Sequence, residues 1–316
     1  MIKNKKSFIV GIKGKKLNRK EINFLKKYKP WGIILFSRNI NSIKQTKNLT
    51  DHIKRIFKDK NYPIMIDEEG GKVSRLKKII DTSLFSHKFF GEMYIKDNKR
   101  FNLYFVTYVK QLSYVLTLLG ININTVPVLD VIRKFSSRVL KHRCYSSNPK
   151  IVSKLGNLCI ETFNKYGIAT VIKHIPGHGP SRKDSHFEVP IVNDKISKLK
   201  KIDFLPFKKK KSYLAMTAHV VYTSIDKFNT ATHSKKVIKL IRNNIGFKNI
   251  IMSDDISMRA LKFSLKENTI KAFTAGCNLV LHCNGNLKEM TIVAKNSPPI
   301  NDFIRKKNAN LNKLFI

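Results

Sequence analysis

Acidic residues are scarce in this sequence of 316 residues. Asp and Glu number 21 against 62 Lys and Arg, which gives a formal net charge of +41. A charge of this size is typical of disordered chains and of proteins that bind polyanions. Disorder is excluded as the main state, because 42% of the residues are hydrophobic and apolar segments recur regularly along the chain.

Cysteine, glycine and proline are also few. Four cysteines, none in a Cys-x-x-Cys pair, are too few for a disulfide scaffold and indicate buried thiols in a reducing compartment. The 14 glycines and 10 prolines exclude collagen-like and low-complexity classes. No apolar run reaches the ~18 residues of a membrane-spanning helix. The basic N-terminus carries only a short apolar run, Ser7–Ile12, so it does not read as a signal peptide. We therefore expect a soluble, cytoplasmic protein without a membrane partner.

The positive charge is spread along the chain from Lys3 to Lys313. The densest run, Lys208–Lys211, follows an apolar segment, and no zinc module, helix-turn-helix or aromatic-rich RNA motif accompanies it. Ile and Asn are abundant too, and AT-rich codons favour Ile, Asn and Lys together. We therefore interpret the charge as compositional drift and expect no specific nucleic-acid partner. Nonspecific binding to polyanions at low salt still follows from the charge.

Short β-branched runs alternate with longer segments of helical spacing, which predicts a parallel sheet flanked by helices. Eight such runs in ~300 residues favour the α/β class and a single (β/α)8 TIM barrel over an open sheet. No break in composition marks a linker, so residues 1–316 are predicted to form one catalytic domain. The predicted strands are Ser7–Gly11, Gly32–Phe36, Pro63–Asp67, Asn122–Pro127, Ala169–His174, Tyr213–Ala218, Asn249–Ser253 and Asn278–His282. The clearest predicted helices are Ile43–Phe57, Phe101–Leu119, Ile151–Tyr166, His233–Asn244 and Glu267–Ala275.

Polar residues lie at or just beyond the C-terminal ends of these predicted strands, which form the catalytic face of a barrel. One or two polar residues are expected there in any fold, because loops are polar. Six are better explained by a shared cleft. They are Asp67, Asp130, Lys173, His174, His219 and Asp254.

The segment Lys173–His186, KHIPGHGPSRKDSH, is the richest in candidate chemistry. Asp184 and His186 are two residues apart, so the carboxylate can bond one imidazole nitrogen and raise the basicity of the ring. Such a pair suits general acid/base work. From spacing alone two alternatives stay open. One is metal binding by His178, Asp184 and His186, and the other is a set of loop histidines without a function.

Two further segments place carboxylates at strand ends. In IMSDDISM, residues 251–258, Asp254 suits a carboxylate nucleophile, whereas Asp255 suits the N-cap of a following helix. In IDEEGGKVSRL, residues 66–76, Asp67 and Arg75 suit a sugar or another polyhydroxy ligand. A structural salt bridge is the alternative for that pair. The nucleotide-binding patterns GxGxxG and GxxxxGK[ST] are both missing.

These segments resemble family 3 glycoside hydrolases, in the bacterial β-N-acetylhexosaminidase branch. KHIPGHGPSRKDSH resembles the KH(F/I)PGHG…DSH signature of that branch. The same order of motifs is found in WGIILFSRN at 31–39, IDEEGG at 66–71, PVLDV at 127–131, AMTAHV at 215–220 and GFKNIIMSDDISM at 246–258. The resemblance covers most of the chain, roughly Phe8 to Cys283.

The resemblance implies a retaining two-step mechanism in a (β/α)8 barrel. Asp254 would be the nucleophile. His186, paired with Asp184, would protonate the leaving oxygen and then deprotonate water. The positions that bind the hydroxyls of N-acetylglucosamine (GlcNAc) are matched by Asp67, Arg75, Arg143, Lys173 and His174.

The implied substrate is a cell-wall muropeptide fragment: GlcNAc β-1,4-linked to 1,6-anhydro-N-acetylmuramic acid, with or without peptide. No metal and no organic cofactor is implied, and we expect a monomer. Departures from the family pattern are Glu68 for Gln, Lys72 for Arg, Asn148 for Asp and Asn278 for Asp. Two rival functions stay open. A histidine acid/base does not repel phosphate, which would suit a phosphorylase releasing GlcNAc-1-phosphate, and the basic surface would suit a non-catalytic polyanion-binding barrel.

Overall fold

The computed structural model describes residues 5–181, 185 and 188–315. Parallel strands in this part of the chain close into an eight-stranded barrel. Its strands are β1 (Lys6–Gly11), β2 (Pro30–Leu35), β3 (Ile64–Ile66), β4 (Ile123–Asn124), β5 (Ala169–Ile175), β7 (Leu214–Thr217), β9 (Ile250–Asp255) and β10 (Leu279–His282). Pairing of β10 with β1 completes the ring. Each predicted strand overlaps one of these, which confirms the TIM-barrel prediction.

Helices cover the outside of the barrel. They are α1 (Arg19–Tyr28), α2 (Ile43–Phe57), α3 (His87–Lys96), α4 (Asn98–Leu118), α5 (Arg138–Lys141), α6 (Pro149–Lys165), α7 (Ile196–Lys201), α8 (Lys235–Leu240), α9 (Leu265–Ala275), α10 (Leu287–Asn296) and α11 (Asp302–Asn312). Side chains at the N-caps fix where several of these helices begin. Ser42 accepts a bond from the Gln45 amide at the start of α2, and Ser264 forms a reciprocal capping box with Glu267 at α9. The predicted helix His233–Asn244 is α8 followed by one wider turn, Ile241–Ile245.

A small parallel sheet lies apart from the barrel. Its strands are β6 (Ile191–Val192) and β8 (Val221–Tyr222). The sequence did not predict this pair, because two residues are too few to show a period.

Two apolar layers hold the barrel together. One layer lies between the strands and the surrounding helices and contains most of the buried apolar side chains. The other fills the barrel interior and includes Trp31, Met65, Met216 and Met252. The interior layer continues into α11 and its flanks through Ile300, Ile304, Leu311 and Phe315. Polar side chains are therefore left to the opposite end, where the strands finish.

Among the described residues, no helix is both long and apolar enough to cross a bilayer.

Candidate active site

A pocket of about 160 Å³ lies at the C-terminal ends of the barrel strands. Its wall contains every predicted catalytic or sugar-binding residue that the structure describes: Asp67, Arg75, Arg143, Lys173, His174 and Asp254. Asp130 and His219, which were also predicted to share the cleft, do not line it and lie behind it, bonded to His174 and Asp255 respectively. They come from the ends of β3, β5 and β9 and from the loops that follow β3 and α5. The parallel barrel thus brings together side chains that are up to 187 positions apart in the sequence, as from Asp67 to Asp254.

The predicted acid/base pair, Asp184 and His186, lies outside the described residues. Ser185, between them in the sequence, lines the pocket. Its carbonyl oxygen accepts a hydrogen bond of 3.2 Å from the amide of Ala260, and its hydroxyl lies 3.4 Å from Nε2 of His178. The acid/base assignment stays a prediction.

Lys173 is the cationic centre of the pocket wall. Its ammonium lies 3.1 Å from Oδ1 of Asp67 and 2.6 Å from Oε1 of Glu69, and it donates to the hydroxyl of Thr125 at 2.9 Å. The side chain is only 3% exposed. Burial disfavours its charge, but the two carboxylates outweigh burial and raise the pKa of Lys173. The lysine is therefore a fixed cation at neutral pH.

Glu69 joins that lysine to Arg143. Two parallel hydrogen bonds of 2.8 Å run from Nε and Nη2 of Arg143 to the carboxylate of Glu69. Burial opposes its ionisation, yet Arg143 and Lys173 together hold the pKa of Glu69 well below the ordinary value. Sequence reasoning gave Glu69 no role. Its position two residues beyond Asp67, past the end of a barrel strand, was the signal that could have found it.

His174 is oriented by a buried carboxylate. Its Nδ1 lies 2.7 Å from Oδ2 of Asp130, so that nitrogen carries the proton and donates. The other oxygen of Asp130 accepts from the backbone amides of His178 at 2.6 Å and of His174 at 3.3 Å. Nε2 of His174 then faces the pocket as an acceptor, 3.4 Å from Nη2 of Arg143. Asp130 was predicted only as a polar strand end.

Asp254 provides an ionised carboxylate on the same wall. Burial opposes its charge, but His219 and His174 outweigh burial and lower the pKa of Asp254. Its Oδ1 accepts a 2.8 Å bond from the amide of Asp255, which orients the group. His219 lies behind it, with Nε2 donating 3.0 Å to the carbonyl of Asp255 and Nδ1 accepting 2.7 Å from Thr232.

The predicted N-cap role of Asp255 is wrong. Strand β9 continues through this residue, which pairs with Leu281 of β10. Its carboxylate accepts from the amide and hydroxyl of Ser257, at 3.0 and 2.8 Å, and so closes a turn. The next helix, α9, starts only after Ser264. Barrel pairing extends the strand beyond the β-branched run from which its end was predicted.

Glu68, which stands where the family pattern has Gln, lies behind the pocket wall. One oxygen accepts from the amides of Arg75 and Leu76 at 2.6 and 3.1 Å, and the other accepts from the hydroxyl of Thr82 at 2.6 Å. These bonds shape the loop that carries Arg75.

Within residues 5–181, 185 and 188–315, no group of three or more His, Cys, Asp or Glu side chains could hold a metal ion. Two of the three candidate ligands, Asp184 and His186, lie outside that part.

Comparisons with known proteins agree on one family. A family model described as the glycosyl hydrolase family 3 N terminal domain matches residues 2–303. The chain is 33% identical over 264 residues to the beta-hexosaminidase of Nitrosomonas eutropha. The aligned region covers 80% of this chain and 73% of that protein. It is 29% identical over 279 residues to beta-hexosaminidase A of Pseudoalteromonas piscicida, which covers 81% of this chain. The chain spans 46% of the length of that second relative.

A solved structure gives the same answer. NagZ from Neisseria gonorrhoeae, in complex with N-trifluoroacetyl-D-glucosamine, superposes with a TM-score of 0.85 at 29% sequence identity. The match covers 98% of this chain and 90% of that one. Since the family model spans nearly the whole chain, the chain belongs to glycoside hydrolase family 3, in its NagZ-like β-N-acetylhexosaminidase branch.

Proposed function

We propose that the protein is an exo-acting, retaining β-N-acetylglucosaminidase that removes GlcNAc from cell-wall fragments. The observation that carries this proposal is the pocket wall, where the ionised carboxylate of Asp254 stands beside a fixed array of charged hydrogen-bonding groups. Relatives in the same branch are named beta-hexosaminidases, and one is solved with a glucosamine derivative bound.

The charged array suits the hydroxyls of a sugar. Asp67 offers carboxylate oxygens, Arg143 offers the N–H groups of Nη1, and His174 offers an acceptor nitrogen. The three N–H groups of Lys173 already bond Asp67, Glu69 and Thr125, so this lysine donates to a sugar only by exchanging one of those partners. Most of these groups are buried and already bonded to one another, so little reorganisation is needed when a sugar binds. Arg75 is the most exposed member, with 27% of its side chain accessible, and stands 3.7 Å from Asp67.

The chemistry then proceeds in two displacements. In the first, Asp254 attacks the anomeric carbon, and the bond to the leaving oxygen breaks as His186 gives that oxygen a proton. In the second, His186 takes a proton from water, whose oxygen displaces Asp254 and releases GlcNAc with its configuration retained. Asp184 holds the imidazole in the required tautomer. The ordinary pKa of histidine, ~6.5, suits both proton transfers near neutrality.

The finer substrate assignment rests on the resemblance. We propose GlcNAc β-1,4-linked to 1,6-anhydro-N-acetylmuramic acid, handled in the cytoplasm as part of peptidoglycan recycling. The protein would act there as a monomer with one catalytic domain.

A product assay on 4-nitrophenyl β-N-acetylglucosaminide tests the reaction, in phosphate-free buffer, with added phosphate, and beside the matching β-glucoside. We expect free GlcNAc in both buffers and little glucoside cleavage. If GlcNAc-1-phosphate appears in the phosphate buffer, the enzyme is a phosphorylase and not a hydrolase. No turnover of any substrate would leave the polyanion-binding barrel as the better description.

Asp254→Asn tests the nucleophile, and Asp255→Asn is the matched control because its carboxylate faces Ser257 and does not line the pocket. Loss of a group that makes a covalent bond should lower kcat by about 10³-fold or more, whereas the control should stay within about tenfold of wild type. Wild-type kcat in Asp254→Asn would overturn the assignment.

A further inference from the structure

Arg75 reaches the pocket with few bonds to hold its side chain. Its guanidinium is 3.7 Å from Asp67, beyond hydrogen-bond distance. Among the described residues, its buried Nε has no hydrogen-bond partner. The bond from its backbone amide to Glu68 fixes the main chain only. Something besides hydrogen bonds must therefore limit where the guanidinium lies.

The ring of Phe36 supplies a surface for that guanidinium. Phe36 follows β2 at the pocket end of the barrel and packs partly buried against the interior apolar layer. The central carbon of the Arg75 guanidinium lies 5.4 Å from the centre of the ring. That distance is within the range at which a cation is attracted to an aromatic face.

A second guanidinium, from Arg38, uses the same ring at 4.7 Å. Arg38 is fixed at two further points, because Nε donates to the carbonyl of Ile12 at 2.9 Å and Nη2 donates to the carbonyl of Cys283. It thereby bridges the chain just beyond β1 and β10. The two cations repel each other, so the fixed position of Arg38 favours placement of Arg75 on the side toward Asp67.

We propose that Phe36 is a positioning residue that holds the guanidinium of Arg75 beside Asp67, where it can donate to a sugar hydroxyl. The inference rests on the proposed function, since it assigns Arg75 to the sugar site. Arg75 would contact a hydroxyl both in the bound substrate and in the transition state. Loss of its placement should therefore weaken binding uniformly and change KM more than kcat.

Phe36→Leu tests this inference, since it removes the aromatic face but keeps an apolar side chain. We expect KM for 4-nitrophenyl β-N-acetylglucosaminide to rise about three- to tenfold, with kcat changed less than about twofold. Phe36→Tyr keeps the ring and should restore a KM near that of wild type. Phe273→Leu is the control for lost ring packing, because Phe273 is also partly buried against the core but, among the described residues, no arginine lies over its ring as Arg38 and Arg75 do over Phe36. It should leave KM unchanged.

The double variant Phe36→Leu/Arg75→Ala separates positioning from general packing. If Phe36 acts through Arg75, the double variant should have the KM of Arg75→Ala alone. The inference is overturned if the two changes multiply their effects on KM in the double variant. It is also overturned if folded Phe36→Leu has an unchanged KM. Phe36→Met takes the place of Phe36→Leu if the latter does not fold, with the same expected rise in KM.

The affinity for GlcNAc, measured by calorimetry, distinguishes a failure of this inference from a failure of the proposed function. If the wild-type protein binds GlcNAc but does not hydrolyse the glycoside, only the proposed reaction is refuted. In that case the affinity should fall about three- to tenfold in Phe36→Leu and stay unchanged in Phe273→Leu. Wild type that neither binds GlcNAc nor hydrolyses the glycoside overturns both proposals.

Discussion

Glu69→Gln removes one negative charge from the most buried ion-pair cluster of the pocket. The carboxylate of Glu69 has two bonds of 2.8 Å to Arg143 and lies 2.6 Å from the ammonium of Lys173. Gln keeps the shape, but its amide N–H₂ group faces donors that need an acceptor. Arg143 then lacks its carboxylate partner, and Lys173 keeps only the carboxylate of Asp67 and the hydroxyl of Thr125. Removing one partner of a buried ion pair costs about 3–5 kcal/mol of folding free energy.

Thermal denaturation measures this cost. At ~2 °C per kcal/mol for a chain of this size, a loss of about 3 kcal/mol predicts a Tm about 6 °C below wild type at pH 7. Glu92→Gln is the matched control, because Glu92 is 59% exposed and stands 3.6 Å from Lys88 within a single helix. An exposed pair of that kind contributes about 0–1 kcal/mol, so the control Tm should move by less than about 2 °C.

The pH dependence has a definite sign. The pKa of Glu69 in the folded protein lies well below its ordinary value of 4.5. Its contribution to stability is therefore fully present above that value and is lost as pH falls toward the folded pKa. The difference in free energy of unfolding between wild type and Glu69→Gln should shrink below pH 4.5 by about 1.4 kcal/mol per pH unit, which is about 3 °C in Tm. A Glu69→Gln Tm within 1 °C of wild type at pH 7 would refute the reasoning.

Two other changes have equally direct outcomes. Asp130→Asn removes the charge that orients His174, so kcat/KM should fall about 10- to 100-fold and the Tm should fall as well, because the carboxylate is buried and holds three hydrogen bonds; a wild-type kcat/KM would contradict the role of the pair. Gly179→Ala places a methyl group against the carbonyl oxygen of Val131, which should lower the free energy of unfolding in urea by about 1–3 kcal/mol. Gly14→Ala, which meets nothing closer than 3.9 Å, is its control and should lie within about 1 kcal/mol of wild type. Equal destabilisation by the two alanines would show that the contact at Val131 is not the cause.

The barrel could be predicted because of where its strands lie. Barrel strands are buried on both faces, so they appear in the sequence as continuous β-branched runs separated by polar loops. Asp67, Lys173, His174 and Asp254 were found by the same reasoning, because each ends such a run. The two-residue strands β6 and β8 carry no comparable pattern.

Loop residues of the pocket could not be placed in this way. Arg143 follows the short helix α5, and no strand end marks it, so only the family resemblance pointed to it. Glu69 and Asp130 act on other side chains across the pocket, and their partners lie 74 and 44 positions away. The position of each residue beyond a strand end was visible in the sequence, but contacts of that range depend on the closed barrel, so no local pattern indicated the partners.

In the part of the chain that the structure describes, the apolar filling of the barrel closes the inner end of the pocket. Within the described residues, the interior is packed from its middle layer down to Ile304, Leu311 and Phe315 beneath the strands. In the proposed reaction a glycoside would therefore arrive, and both halves of it would depart, at the end where the strands finish. If Asp254 bonds the sugar as proposed, the aglycone would stand between that bond and bulk water, so the aglycone would leave before hydrolysis and GlcNAc would leave last. Free GlcNAc would then compete with each new substrate for the closed inner end of the pocket.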